Sequence, residues 1–311
     1  MIIELSGLDG SNPLGFLAAV GLLRWLVDEH GCTDARLWFR PGDWRARIDG
    51  APGVEPLVDA VAIDAVGWLQ RAALGFRYEV SKGKEVREVA DLKPPPERFR
   101  TWLGELRKDR DWTSLGFAAG YASEGGQDRS GMVKPTALHF TAGQQQFLGA
   151  VCEIAESLTT DDVREALIGP WRYAREVKSL SWDASVSRDY ALRYGNPAKE
   201  ARQGNPGADW LAFHALPLFP VMARGGQAAT AGAGGGWKNG HFRWPLWDQP
   251  AGLGAVRSLV VSRDVERWTA AQRRLVGVMV VFASAITRSD QGGYGAFGPA
   301  HLAGREDGVG R

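Results

Sequence analysis

Long apolar stretches alternate along the chain with polar, glycine-rich punctuation, and the first stretch is the most regular. Between residues 14 and 27 only Arg24 is charged, so the pattern predicts a helix buried on most sides, not an amphipathic surface helix. Asn12 or Ser11 offers a short side-chain oxygen to cap it, and Pro13 suits the first turn, where its missing N–H costs nothing. A strand over residues 2–5 leads into this helix. The apolar run is shorter than the about 20 residues of a membrane span, contains Arg24 and follows Glu4 and Asp9. A basic start and a small-residue cleavage site, the marks of a signal peptide, are not seen. A core helix is the reading that remains.

Residues 35–39 read as a strand closed by the Pro41-Gly42 turn. Residues 54–74 read as a long helix, with Leu57, Val61, Val66 and Leu69 on its apolar face. Residues 76–80 alternate and run into the charged segment 82–88, which predicts a hairpin. The triple proline 94–96 stops regular structure and starts a charged helix over 97–108. Residues 123–134 are polar and glycine-rich and predict an exposed loop. A short strand over 137–140 should pass through Thr141 into a helix that turns Phe147, Leu148, Val151, Ile154 and Ala155 inward. The next helix should be capped by Thr160 and end before Gly169-Pro170. Residues 171–194 read as irregular structure with strands, 207–216 as a helix and 217–222 as extended. Seven of the sixteen residues 225–240 are Gly and four more are Ala. Such a stretch buries little side chain, so it reads as a surface loop, or as one that orders on a nucleic acid or a neighbouring subunit. The last strong helix is expected over 269–287, carrying Leu275, Val276, Met279, Val280 and Phe282, before a fraying tail over 292–311. The sum is an α+β fold of mixed short strands and long buried helices, with no regular doubly wound alternation. It divides into an N-terminal part, 1–169, and a basic C-terminal part, 170–311, or forms one continuous domain.

Composition narrows the function more than the fold. With 311 residues, 44% apolar and 23% charged, this is the make-up of a soluble globular protein. Cys32 and Cys152 stand far apart, and His30, His139, His214, His241 and His301 are scattered. A disulfide framework or a compact zinc site is therefore not expected, no cofactor is implied, and a reducing, cytoplasmic setting fits. The net charge is +1, yet residues 1–160 carry 18 basic and 22 acidic side chains and residues 161–311 carry 19 and 14. Clustered cations drive nucleic-acid affinity through counterion release. A free-standing DNA binder is usually more basic overall, whereas a subunit held on nucleic acid by partners need not be.

Catalytic motifs are sparse. Gly232, Gly234, Gly235 and Gly236 lack the Lys-Ser/Thr ending of a phosphate-binding loop, and no nucleophile elbow occurs. Asp161 and Asp162 suit the first turn of a helix. Asp183 and Asp189 flank a basic, aromatic segment and are the candidate metal carboxylates, without a histidine or third acid beside them in sequence. The segment 178–202 interleaves Trp182, Arg188, Tyr190, Arg193 and Tyr194. Cations there can meet phosphates while rings stack on bases, although the same alternation describes a half-buried strand. The thirteen tryptophans allow sugar stacking, but Trp25 in the first helix and Trp244 and Trp247 in a Trp-Pro-Leu-Trp segment read as core or interface anchors.

Three landmarks carry a resemblance. They are Asn12-Pro13 with Phe16 and Gly21-Leu22-Leu23; Trp182-Asp183-Ala184 with Tyr190-Ala191-Leu192 and the run from Asp209 to Pro220; and Phe242-Arg-Trp-Pro-Leu-Trp247 leading to Val256-Arg257-Ser258-Leu259. In order and spacing they resemble the smaller Cascade subunits of type I-U and I-G CRISPR interference complexes, some classed as divergent large subunits. The segment from His139 to Gln145 is similar to such proteins as well. The resemblance implies a non-catalytic subunit of an RNA-guided antiviral surveillance complex. Its partners would be guide RNA, target DNA, other Cascade subunits and a helicase-nuclease recruited on target binding. Guide pairing reads sequence in such complexes, and protein supplies backbone contacts and short-motif recognition. The resemblance transfers no individual site residues, so chemistry selects Gln127, Arg129, Lys134, Lys178, Arg188, Arg193, Arg224, Lys238 and Arg243 as nucleic-acid-binding candidates. Arg129 and Lys134 suit guanine edges of a target-adjacent motif and Gln127 suits adenine. Two other readings stand beside this one: a metal-dependent nuclease or hydrolase using scattered acids, and a purely structural assembly subunit.

Overall fold

A computed structural model describes residues 1–82, 85–141, 145–185, 203–236, 239–262, 265, 267–288 and 295–303. Strand β1 (Ile3–Asp9) turns into helix α1 (Pro13–Asp28), whose residues from Pro13 to Leu26 are all buried. The cap is Asn12, whose side-chain oxygen accepts the Leu14 N–H at 2.9 Å, with Pro13 at the first helical position. Strands β2 (Arg36–Phe39) and β3 (Arg45–Asp49) complete an antiparallel sheet of order β1-β3-β2. The single helix expected over 54–74 is two, α2 (Val54–Trp68) and α3 (Ala72–Gly75). The N–H groups of Leu69, Gln70 and Arg71 bond three residues back, a tightening that ends a helix. It leaves Trp68 edge-on to the stacked pair Phe117 and Phe213.

The expected hairpin forms as β4 (Tyr78–Lys82) and β5 (Glu85–Val89), and the charged helix as α4 (Pro96–Lys108), followed by α5 (Trp112–Tyr121). Two expectations fail next. The loop over 123–134 is a hairpin, β6 (Ala122–Gln127) with β7 (Val133–Pro135). The strand over 137–140 is not formed and begins as a turn: Thr230 Oγ1 accepts the Ala137 N–H at 2.7 Å and Trp182 Nε1 donates to the Leu138 carbonyl at 2.8 Å, so side chains and not a ladder satisfy these backbone groups. Helix α6 (Phe147–Ser157) turns inward the residues its periodicity marks. Helix α7 (Thr160–Ile168) is capped one residue earlier than expected, by Thr159 in a reciprocal box with Asp162.

Strand β8 (Arg175–Glu176) pairs with β9 (Gln203–Gly204), and α8 (Pro206–Phe213) follows, wholly buried against α1, α6 and α7. Its close seating needs two glycines. A Cβ at Gly21 would lie 2.0 Å from the Leu211 carbonyl oxygen, and one at Gly207 would lie 2.3 Å from that of Asp162. The extended reading of 217–222 runs into β10 (Val221–Arg224), which forms the second hairpin with β11 (Gln227–Thr230), and the glycine-rich stretch read as a loop holds β11, β12 (Ala233–Gly234) and the start of β13 (Gly240–Trp247). Helix α9 (Leu253–Val261) leads to the largest departure from expectation. The helix over 269–287 stops after α10 (Ala270–Leu275), and β14 (Val278–Arg288) takes the rest. Gly277 sits at φ +79°, where side chains are disfavoured, and the residues beyond it are rich in β-branched types that fit a pleated surface. Strand β14 is central in a five-stranded antiparallel sheet, with β13 on one side and β15 (Gly295–Phe297) and β16 (His301–Ala303) on the other. Within the tail expected to fray, residues 295–297 and 301–303 are paired with β14, while 292–294 and 304–311 lie outside the described residues.

The fold is α+β. One cluster of buried side chains draws on residues from Ile3 to Phe297. Two indoles from β13 fasten the N-terminal sheet region to the C-terminal sheet: Trp244 Nε1 donates to the Gly10 carbonyl at 2.7 Å and Trp247 Nε1 to the Leu37 carbonyl at 2.6 Å.

Candidate nucleic-acid interface

The two hairpins, β6–β7 and β10–β11, meet each other. Strand β6 lies against β10 and β11, with the Gln127 N–H directed to the Gly226 carbonyl at 3.4 Å. A Cβ at Gly126 would stand 2.9 Å from the Ala228 nitrogen, and one at Gly125 would stand 2.7 Å from the Ala223 Cβ. These glycines therefore mark backbone approach rather than looseness. At the first hairpin's tip, Asp128 accepts hydrogen bonds from Ser130 N at 2.8 Å, Ser130 Oγ at 2.6 Å and Met132 N at 3.1 Å. Partial burial opposes ionisation, but these donors prevail and hold the Asp128 carboxyl below its ordinary range. The turn so tied presents Arg129 to solvent. At the second tip Gly225 and Gly226 have φ +58° and +74°, as a tight two-residue hairpin turn requires, and exposed Arg224 precedes them. Lys134 Nζ donates to Gln227 Oε1 across the junction at 3.4 Å.

Four of the sequence-selected residues, Gln127, Arg129, Lys134 and Arg224, thus sit on the joined hairpins, with Gln227 added by the structure. The signal for Gln227 was the Gly-Gly pair before it, a hairpin mark hidden inside a glycine-rich run. Lys178 is exposed and pairs with Glu153 of α6 at 3.9 Å, taking no part in the hairpins' hydrogen bonding. Arg243 lies half-buried within β13, its backbone N–H bonded to Gly232. Arg188, Arg193 and Lys238 lie outside the described residues.

The candidate acids divide in the same way. Asp189 lies outside the described residues. The Asp183 carboxylate accepts from Asn12 Nδ2 at 2.7 Å, Ser185 N at 2.8 Å, Ser185 Oγ at 2.7 Å and Tyr173 OH at 2.6 Å. It ties the chain beyond Trp182 to the start of α1. Burial, and then Asp183 itself, push the Tyr173 phenol well above its usual range. Asp162 is held in the α7 cap and by Arg175, and Asp161 meets Arg164 at 2.7 Å.

Two buried polar clusters escaped sequence reading because their members are remote from one another. His139 Nε2 lies 2.7 Å from Asp91 Oδ1 and 2.8 Å from Thr141 Oγ1. Acid and hydroxyl share one ring nitrogen, whereas a nucleophile–base–acid relay needs them on opposite nitrogens. Burial opposes the Asp91 charge, yet His139 and the Phe147 N–H outweigh it and keep the carboxyl low. The second cluster pairs buried Arg24 with Glu29, with the His214 carbonyl and, at 2.9 Å, with His214 Nδ1, while Trp68 Nε1 donates to Glu29 at 3.1 Å. Burial works against Glu29, but His214 and Arg24 bring its carboxyl down to about 2. Among the described residues no group of three His, Cys, Asp or Glu side chains is placed to hold a metal, and no helix is long and apolar enough to cross a membrane.

No protein-family model matches the chain, and no curated protein matches it. The hairpin face is the arrangement with an evident chemical capacity: exposed guanidinium, ammonium and amide donors carried on braced strands. Such donors can meet phosphates and base edges together.

Proposed function

We propose that the chain is a non-catalytic, nucleic-acid-contacting subunit of an RNA-guided surveillance complex of the kind its landmarks resemble, the type I-U and I-G CRISPR systems. The observation that supports this reading is the meeting of the two hairpins. Residues 127–134 and 224–227 are remote in sequence, yet they share one face on which Arg129, Lys134 and Arg224 accompany the amides of Gln127 and Gln227. Guanidinium and ammonium groups would neutralise target-DNA phosphates. The amides would add contacts to base edges of a short motif beside the target, while guide RNA reads the remainder. The other complex subunits and a recruited helicase-nuclease would supply the duplex opening and cleavage that this face does not perform, in a cytoplasmic setting.

The direct test is co-expression with the neighbouring gene products, purification through a tag on this chain, and sequencing of bound RNA. The expected result is a stable complex carrying a uniform short RNA with repeat-derived ends. A nucleic-acid-free monomer that ignores its neighbours would overturn the proposal.

A further inference from the structure

A second surface is built differently from the hairpin face. Trp112 opens helix α5 with 70% of its area exposed, and it is the one exposed tryptophan among the described residues. The other large exposed apolar side chains lie on other elements, none of them on α4 or α5. What accompanies the indole is charge. Arg107, Lys108 and Arg110 are all exposed, within five residues of it, and among the described residues none has an ion-pair partner. Of the acids at this corner, Asp111 is engaged by the Ser114 N–H as the α5 cap, Glu105 faces Arg98 at 3.5 Å, and exposed Asp109 is the opposing charge.

The corner is also rigid. The Asp111 N–H reaches back to the Leu106 carbonyl at 3.0 Å and the Arg110 N–H to that of Arg107 at 3.2 Å, the paired closure that ends a helix on a left-handed residue. That residue is Arg110, at φ +56°, where glycine is the ordinary choice. Below the corner, Phe99, Trp102 and Leu106 of α4 and Phe117 and Tyr121 of α5 are buried. An unfavourable backbone conformation thus places a cation beside an unburied indole, on a platform that has little freedom to cover it.

We propose that the α4–α5 corner, Arg107 to Trp112, is a contact site for single-stranded nucleic acid. A base stacks on the Trp112 indole, and adjacent phosphates meet Arg107, Lys108 and Arg110. Unpaired bases are required, since a duplex keeps its faces stacked internally while side-chain rings serve strands whose bases are splayed. The site does not depend on the hairpin face or on the RNA-guided reading.

The test is fluorescence anisotropy of labelled 12-mer oligo-dT, oligo-U and a duplex of equal length, using the full chain. Single strands should bind better than duplex, and the dT and U arms report which sugar is preferred. Trp112→Ala should weaken single-strand binding about tenfold, the loss of one stacked base, with its salt dependence unchanged. Replacing Arg107, Lys108 and Arg110 together by Ala should lower the slope of log affinity against log salt by about 2. Arg110→Gly guards against misfolding: it relaxes the backbone, so it should raise Tm and still weaken binding. Unchanged single-strand affinity in both Trp112→Ala and the triple variant would overturn the proposal. So would a Trp112→Ala chain that binds oligonucleotides normally but loses a co-expressed protein partner, which would make the corner a protein contact. Either failure leaves the hairpin reading standing, because that reading is tested on the assembled complex.

Discussion

Asp209 shows how much one side chain can set the chain's response to pH. It lies in the first turn of α8 with no exposure. One oxygen accepts weakly from the Leu180 N–H at 3.4 Å, and the other has no hydrogen bond of normal geometry, Ser179 meeting the carboxyl only imperfectly. Burial dominates, Ser179 and Leu180 offset it in part, the Asp183 charge adds to it, and the carboxyl is pushed up to about 8. The folded chain therefore keeps this proton where the unfolded chain has lost it. Stability from this group is complete below about pH 4 and declines as pH rises towards 8. Asp209→Asn should abolish that part of the decline and raise stability at pH 8 by on the order of 2–4 kcal/mol, read from urea unfolding at pH 5 and pH 8. An equal pH dependence in the variant would show that Asp209 ionises freely. Arg24 is the opposite case, a buried charge that is fully partnered. Arg24→Met would leave the buried Glu29 carboxylate with only Trp68 and His214 beside it, and breaking one half of such a pair costs about 3–5 kcal/mol. Chemical denaturation should show a loss of that size, unlike the small effect of removing an exposed pair such as Arg87–Glu85.

At the scale of elements, glycine carries the argument. Gly126→Ala removes no charge, and its backbone does not need positive φ, but the added methyl would press on Ala228 of β11. The hairpins should separate slightly at a cost of about 1–3 kcal/mol. If they form one binding face, the variant complex should lose target-DNA affinity while keeping every cation; a normal affinity would show that their junction is irrelevant to binding. The same residues show what was legible in the chain. Helix α1 could be read in full, because its cap, its proline and its apolar body are local. Helix α6 could be read because its inward stripe has one period. The glycines of the two hairpins read as looseness, since the reason for them is a neighbour about a hundred positions away in sequence. Strand β14 read as helix because a continuous apolar run has no period that separates buried strand from buried helix, and its partners, the Trp-rich β13 and the tail strands, are tertiary facts. The site followed the same rule. Each of Gln127, Arg129, Lys134 and Arg224 could be chosen singly for its chemistry, but only the fold gathers them and leaves Lys178 and Arg243 elsewhere.

For the whole molecule the question is how a chain of net charge +1 could hold DNA. Local density can serve where total charge does not, because counterions are displaced by the cations that reach phosphate and not by the protein's sum. Many arginines here are engaged internally: Arg24 in the core, Arg40 and Arg47 on Glu4, Arg164 on Glu55, Arg175 on Asp162 and Arg257 on Asp28. The hairpin face keeps its cations at the surface, with Asp128 turned to its own loop and Glu124 facing Arg100 at 3.5 Å. Replacing Arg129, Lys134 and Arg224 together by Ala should therefore leave Tm within a degree or two, because none braces the core. In the assembled complex it should lower the salt slope of target-duplex binding by about 2–3, near 0.9 for each phosphate no longer neutralised. Gln127→Ala should behave otherwise, leaving the slope intact and weakening discrimination at the target-adjacent motif alone, since an amide reads base edges and displaces no ions. A triple variant with an unchanged slope would assign DNA binding to other subunits and leave this chain the assembly role. A changed slope with unchanged motif preference in Gln127→Ala would keep the face on the backbone and move motif reading elsewhere in the complex.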